Sequence, residues 1–217
     1  MTPKPRLTTS LRDVAYEEIK RRIITLAYQP GAYVNEAQIC QDLGIGRTPV
    51  HMALERLAND GMIDILPRKG AIVRSVSLDE INSIIEARLF NEPAAARLAA
   101  ERATEVERLK VIAKEAHSRT HRRDIEGLMQ LDRDFHSTIA DATRNRVLAQ
   151  ILKSLHERAL RLWFISLSDK KRQEKVADEH DDILAAIASK NGDRAERVMR
   201  EHIVSFSQVI SRSSERP

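Results

Sequence analysis

The sequence predicts a mainly α protein: an N-terminal winged helix-turn-helix of three helices plus a β-hairpin wing, followed by an all-α antiparallel helical bundle of about six helices. Three observations carry this expectation. Apolar residues recur at helical spacing in one segment after another. An alternating apolar and polar stretch flanks a turn at Pro67-Arg68-Lys69-Gly70. No convincing strand pattern appears after residue 76. The expected domains are therefore residues 8–76 and 78–212.

A chain of 217 residues is long enough for two modest domains, each with its own core. With 42% hydrophobic and 31% charged residues it has the composition of a soluble globular protein. No apolar run nears the ~20 residues that span a bilayer, which argues against a membrane protein. The opening MTPKPRLTTSLRDV lacks the apolar core of a secretory signal, so a cytoplasmic location is expected. A single cysteine, Cys40, excludes an internal disulfide and a thiolate metal cluster. Residues 1–76 hold 11 Lys+Arg against 8 Asp+Glu, whereas the remainder holds 25 against 24. If nucleic acid is a partner, the first third meets it.

The first helix is predicted from Leu11 to Leu26, where Leu11, Val14, Ala15, Ile19, Ile23 and Leu26 share a face, and Tyr28-Gln29-Pro30-Gly31 stops it. A short second helix begins after Asn35 as N-cap and ends at Gly44. The third is RTPVHMALERLANDG, with Thr48 as a possible cap, Pro49 in the first turn, and an apolar stripe of Val50, Ala53, Leu54 and Leu57. Two helices joined by a tight glycine-containing turn form a helix-turn-helix, whose second helix presents its N-terminal residues to base edges. MIDILPRKGAIVRSV then reads as a hairpin wing whose basic tip suits phosphates or the minor groove. Arg47 sits where the helix dipole disfavours a cation, which contact with DNA explains better than a solvated surface role.

In the second domain, Ser77 and Glu80 form a capping box for a helix over 78–101, with Pro93 predicting a kink. Further helices are expected near 104–121, 124–141, 144–166, 170–189 and 192–212, the last two joined at Asn191-Gly192 as an antiparallel hairpin. Asp132 and His136 stand one turn apart on one helix, and His180 and His202 flank that hairpin. An Asp with three His suits zinc, nickel or manganese, and helical bundles build such sites from inward-pointing side chains. His117 and His121 are also four apart, but their polar, basic surroundings favour a solvated surface, as does the setting of His156. Asn145 reads as a helix cap rather than an amide behind a metal ligand.

The segment PGAYVNEAQICQDLGIGRTPVHMALERLANDGMIDILPRKGAIV resembles the winged helix-turn-helix of GntR-family bacterial transcription regulators over roughly residues 8–76. The resemblance implies that Arg47, Thr48 and His51 contact double-stranded operator DNA, with Arg68, Lys69 and Gly70 in the wing. The family usually has arginine where this chain has His51, and some relatives have one at Ala37, so the operator is expected to differ. EARLFNEPAAARLAA, DRDFHSTIADATRN and EHDDILAAIASKNGDRAERVMREHI are similar to the FCD ligand-binding domain over about residues 78–212. In its metal-binding branch the ligands are an Asp, a His one turn on, and two His from the last two helices. Asp132, His136, His180 and His202 match these places one by one.

The resemblance also matches Arg88 to an arginine of the effector cavity, where a guanidinium would grip a carboxylate; the alternative is a surface arginine paired with Glu92. The expected protein is a homodimeric, ligand-responsive regulator, a repressor in the commoner logic of the family. Its bound cofactor is a divalent metal, zinc foremost, and its effector a small organic acid. A regulator answering to the metal itself is a second possibility. A metal-dependent hydrolase is a third, weakened because no motif such as HExxH supplies a general base.

Overall fold

The computed structural model describes residues 10–66, 70–75, 77–102, 104–122, 124–166 and 170–214. It divides into two compact units, Met1–Val76 and Ser77–Pro217.

In the first unit, α1 (Leu11–Ile24) starts where the Ser10 side chain accepts from the Asp13 amide. Its buried face is Ala15, Tyr16, Ile19, Ile23 and Ile24, while Leu11 and Val14 of the expected stripe are exposed. The helix stops two residues short of Leu26, which takes a left-handed φ of 60°. A two-residue strand, β1 (Tyr33–Val34), lies where a plain turn was expected. Two residues show no period, and its partner is distant in sequence, so local pattern is blind to it. Asn35 caps α2 (Glu36–Leu43) by accepting from the amides of Ala37 and Gln38, and Gly44 ends it at φ 62°. Helix α3 (Arg47–Asn59) begins one residue before the expected cap: Gly46 is the N-cap without a side-chain bond, and Thr48 is inside the first turn.

The wing strands β2 (Ile63–Leu66) and β3 (Gly70–Val73) pair antiparallel, and β1 adds to the other edge of β3, giving the order β1-β3-β2. Val34 pairs with Ala71, and Ile63 with Val73. Ile19, Ile39, Val50, Leu54, Leu57, Ile63 and Val73 build one core that fixes α3 against the sheet. Gly70 has φ 116°, and a Cβ there would lie 2.6 Å from the Val34 carbonyl oxygen. The third strand can approach only because that residue is glycine.

The second unit consists of α4 (Leu78–Arg102), α5 (Val106–Arg122), α6 (Ile125–Ala142), α7 (Arg146–Ser166), α8 (Lys170–Ala188) and α9 (Gly192–Ser214). Side-chain oxygens of Ser77, Asp124, Asn145 and Asn191 accept from the amides of Glu80, Gly127, Leu148 and Arg194, so four helix starts are satisfied locally. Asn145 is thus a cap. Glu105, Arg144 and Lys190 take left-handed φ values in three of the connections, which keeps those connections short.

Helix α4 packs against α6, α7, α8 and, most extensively, α9. Its Ala95, Ala96, Ala99 and Ala100 are buried, and such small side chains let neighbouring helices approach closely. Helix α4 runs through Pro93 to Arg102 without ending. The missing proline N–H leaves the Leu89 carbonyl without its helical donor, and Arg200 of α9 supplies a long hydrogen bond of 3.4 Å to it. Among the described residues no helix is long and apolar enough to cross a membrane.

Candidate functional site

Two sites emerge, one in each unit. At the start of α3, Arg47, Thr48 and His51 are exposed on one helix end. The first amides of a helix have no partner within it, and those of Arg47 and Thr48, ahead of Pro49 with no N–H, favour phosphate oxygens as well as base edges. His51 lies between two carboxylates: Nδ1 is 3.2 Å from Glu36 Oε2 and Nε2 is 3.5 Å from Glu55 Oε1. The ring is therefore steered by α2 and by its own helix. Gly70 opens β3, and its demand for glycine is explained by the approach of β1. Arg68 and Lys69, expected at the wing tip, lie outside the described residues.

The second site is inside the bundle. Helix α6 carries Asp132 and His136, α8 carries His180, and α9 carries His202; all four are buried. Each offers one ligand atom, and the four atoms lie within 4.8 Å of one another. His180 Nε2 is 3.4 Å and His136 Nε2 is 3.9 Å from Asp132 Oδ1. Neither Asp132 oxygen accepts a hydrogen bond, and His180 Nε2 makes none. Burying polar atoms without partners is costly, and a divalent cation would satisfy them together, so the donor set fits a metal. Phe135, fully buried, stacks on His180 with ring centroids 4.2 Å apart, which holds that imidazole in place.

Behind two of the imidazoles stand carboxylates. His136 Nδ1 is 2.9 Å from Glu92 Oε2, and His202 Nδ1 is 2.8 Å from Glu179 Oε2. Each carboxylate fixes the ring so that Nε2 is turned to the cluster. Each is in turn held by a buried arginine. Arg88 pairs with Glu92 through Nε at 2.5 Å and Nη2 at 3.3 Å, and Arg172 Nη1 donates to Glu179 at 3.4 Å and to Ser205 Oγ at 2.8 Å. Two relays, Arg88–Glu92–His136 and Arg172–Glu179–His202, therefore converge on one point.

Charge follows burial. Desolvation raises the Asp132 carboxyl to about 6, against the opposing pull of His136 and Arg88. Desolvation, reinforced by neighbouring cationic groups, pushes His156, His180 and His202 well below the ordinary imidazole range, so they are neutral donors near pH 7. Glu92 is also penalised by burial, but Arg88 and His136 hold its carboxyl well below the usual range.

The paired alternative for Arg88 is what the structure contains, though not at the surface: the residue is 0% exposed. It is absent from the lining of the cavity of about 310 Å³ that opens beside the cluster, bounded by Glu92, Arg133, His136, Ser137, Lys153 and His156. The expectation of a solvated His156 is corrected: it is 4% exposed, on the buried face of α7 with Leu152 and Ala159. Its position four residues after Leu152 on an apolar stripe was the available signal. His117, by contrast, is half-buried and reaches Asp181 at 2.8 Å, and His121 is exposed. Glu179 and Arg172 were missed, and Glu92 was seen only as a partner for Arg88, because the imidazoles that these groups support are distant in sequence; Glu179 had only its place beside His180 to mark it.

The profile described as "Bacterial regulatory proteins, gntR family" matches residues 11–73, and that described as "FCD domain" matches residues 83–205. The chain is 24% identical over 205 residues to the HTH-type transcriptional repressor RspR of Escherichia coli (strain K12), covering 94% of this chain and 90% of that one. It is 40% identical over 130 residues to an uncharacterized HTH-type transcriptional regulator from the TAR-I ttuE-ttuC' intergenic region of Agrobacterium vitis, covering 58% of this chain and 76% of the relative. The solved structure of E. coli McbR/YncC has the same fold, with a TM-score of 0.84 over 96% of this chain and 100% of that one at 19% identity. Relatives of this kind are transcriptional regulators rather than enzymes. A gntR-type helix-turn-helix followed by an FCD domain places this chain in the GntR family of bacterial regulatory proteins.

Proposed function

We propose that the chain is an operator-binding repressor that works as a homodimer, holds a divalent metal in its bundle, and is released from DNA by a small organic acid. The observation that carries this reading is the buried convergence of Asp132, His136, His180 and His202 with a carboxylate behind two of the imidazoles. Zinc is the first candidate, and nickel or manganese would accept the same donors. A divalent ion on four protein ligands can keep a position for an exogenous oxygen, and so anchors a carboxylate.

The adjoining cavity, about 310 Å³, is the size of a small-molecule site and has Arg133 and Lys153 in its lining. Arg133 is paired with Glu157 and Lys153 with Asp141, so both cations are already oriented. In this reading Arg88 serves the effector at one remove, by holding Glu92 in line behind His136. Direct contact with an effector carboxylate requires it to share its guanidinium with Glu92. In the DNA-binding unit, Arg47, Thr48 and His51 contact bases or phosphates, with Arg68, Lys69 and Gly70 supplying the wing. Two recognition helices related by a two-fold axis read half-sites about 34–36 Å apart.

Regulation is a population shift: an effector moves the equilibrium only by its difference in affinity for the DNA-competent and DNA-incompetent states. Operator binding followed by fluorescence anisotropy, with metal-loaded protein and a panel of small carboxylates, tests the proposal. At least one acid is expected to weaken binding tenfold or more, equivalent to ~1.4 kcal/mol. Affinity unchanged by every acid that binds the bundle would remove the sensing role.

A further inference from the structure

A fifth imidazole stands beside the four candidate ligands. His156 is 4% exposed, and neither of its ring nitrogens makes a hydrogen bond. Its Nε2 lies 3.4 Å from Asp132 Oδ2, the same spacing that separates His180 Nε2 from Asp132 Oδ1 on the other side of the carboxylate. Its ring stacks on that of His136, with centroids 5.1 Å apart at 29°. Charge-assisted hydrogen bonds to a carboxylate are typically ~2.7–2.9 Å, so neither 3.4 Å contact is one. Ligand atoms sharing a shell of about 2.1 Å radius stand ~3 to ~4 Å apart, and His156 meets Asp132 at that spacing.

His156 differs from its neighbours in how it is held. His136 is backed by Glu92 and Arg88, and His202 by Glu179 and Arg172. No carboxylate accepts from His156, whose Nδ1 has no hydrogen-bond partner. An imidazole without such support is the less firmly oriented ligand. It also stands outside the set whose ligand atoms lie within 4.8 Å, approaching it at Asp132 Oδ2. Finally, it lines the cavity with Arg133, Ser137 and Lys153, on the side from which a small molecule would reach the cluster.

We propose that His156 is an exchangeable fifth protein ligand, bound through Nε2 when no effector is present and replaced by a carboxylate oxygen when one enters the cavity. The inference rests on the metal-holding reading of the cluster. In the exchange one metal–nitrogen bond breaks and one metal–oxygen bond forms, each using the ligand's own lone pair. No electron or proton changes owner, and His156 leaves as a neutral imidazole. Because His156 belongs to α7, which packs against α4, α6 and α9, its release gives the effector a direct mechanical handle on the bundle.

The test uses the full chain loaded with Co²⁺ and labelled with ring-¹⁵N histidine, in which NMR counts paramagnetically shifted imidazoles. Four are expected, those of His136, His156, His180 and His202, falling to three in His156→Ala and to three in the unsubstituted chain after addition of oxalate. His156→Phe, which keeps a ring against His136 but has no ligating nitrogen, replaces the alanine variant if that variant does not fold. Three shifted imidazoles in the unsubstituted chain, unaffected by His156 substitution, would overturn the proposal while leaving the four-residue site intact. Four shifted imidazoles that all persist with oxalate bound would overturn the exchange. Failure of Co²⁺ to bind at all would remove the metal reading and this inference together.

Discussion

The side chains at the start of α3 and those in the bundle are held in opposite ways. His51 is roughly half exposed between Glu36 and Glu55, with Arg47 and Thr48 exposed beside it. Asp132, His136, His180 and His202 are exposed by 4, 7, 3 and 1%, and two of the imidazoles are fixed by relays that end in buried arginines. An exposed face that meets a hydrated, charged partner needs little prior order, because phosphate contacts tolerate side-chain motion and draw on counterion release. A buried cluster that must bind one ion in competition with protons needs its donors preoriented and desolvated. The first unit therefore reveals its site by family pattern, whereas the second reveals its site by unsatisfied chemistry.

Breaking a relay should have the largest effect. Arg88→Ala leaves Glu92 as a buried, uncompensated carboxylate and is expected to cost about 3–5 kcal/mol of stability, read by denaturant unfolding. A loss below about 1 kcal/mol would show that Arg88 does not support the cluster. Removing a ligand comes next. His180→Ala should abolish metal retention and lower Tm by roughly 5–10 °C relative to metal-loaded protein, since an ion at about a hundred times its Kd contributes ~2.7 kcal/mol. Chelation of the unsubstituted chain should reproduce most of that shift, and equal metal content in variant and parent would take His180 out of the site.

Substitution at the exposed site should leave metal binding alone. Arg47→Ala is expected to weaken operator binding by about 1–3 kcal/mol and to reduce the salt slope by about 1, with Tm and metal content unchanged. Salt-dependent anisotropy checks this, and an unaltered slope would refute the docking of α3. His51→Arg should give the smallest effect, a change in preferred operator sequence more than in stability, read by binding to a randomised DNA pool.

The buried site should also answer to pH. The Asp132 carboxyl is raised to about 6, so the metal-free folded chain takes up this proton more readily than the unfolded chain does. That contribution stabilises the metal-free fold at acid pH and is lost as pH rises from the ordinary carboxylate range to about 6. Metal binding needs the carboxylate, so the thermal shift caused by metal should shrink as pH falls below about 6. A metal-induced shift independent of pH between about 5 and 7 would assign the ion to other donors.

The helices were legible because their causes are local. Asn35, Ser77, Asn145 and Asn191 cap within three residues, and apolar periodicity runs unbroken between caps. That Asp132, His136, His180 and His202 come together was legible from the one-turn spacing of the first two, and from the hairpin that the last two flank together with the resemblance. What sequence hid is non-local. Strand β1 exists only because Gly70 lets Val34 approach, and Glu92 meets His136 only because α4 packs on α6. His156 was hidden because one histidine on a long amphipathic helix carries no sign of which neighbours it will face.

The most direct measurement is the metal content of the chain purified without chelator, by mass spectrometry, beside Asp132→Asn. About one equivalent of a divalent transition metal per chain is expected in the parent and a small fraction of that in the variant, which keeps the shape of Asp132 but loses its charge. A parent that carries no such metal and gains none on dialysis against zinc, nickel or manganese would contradict the account.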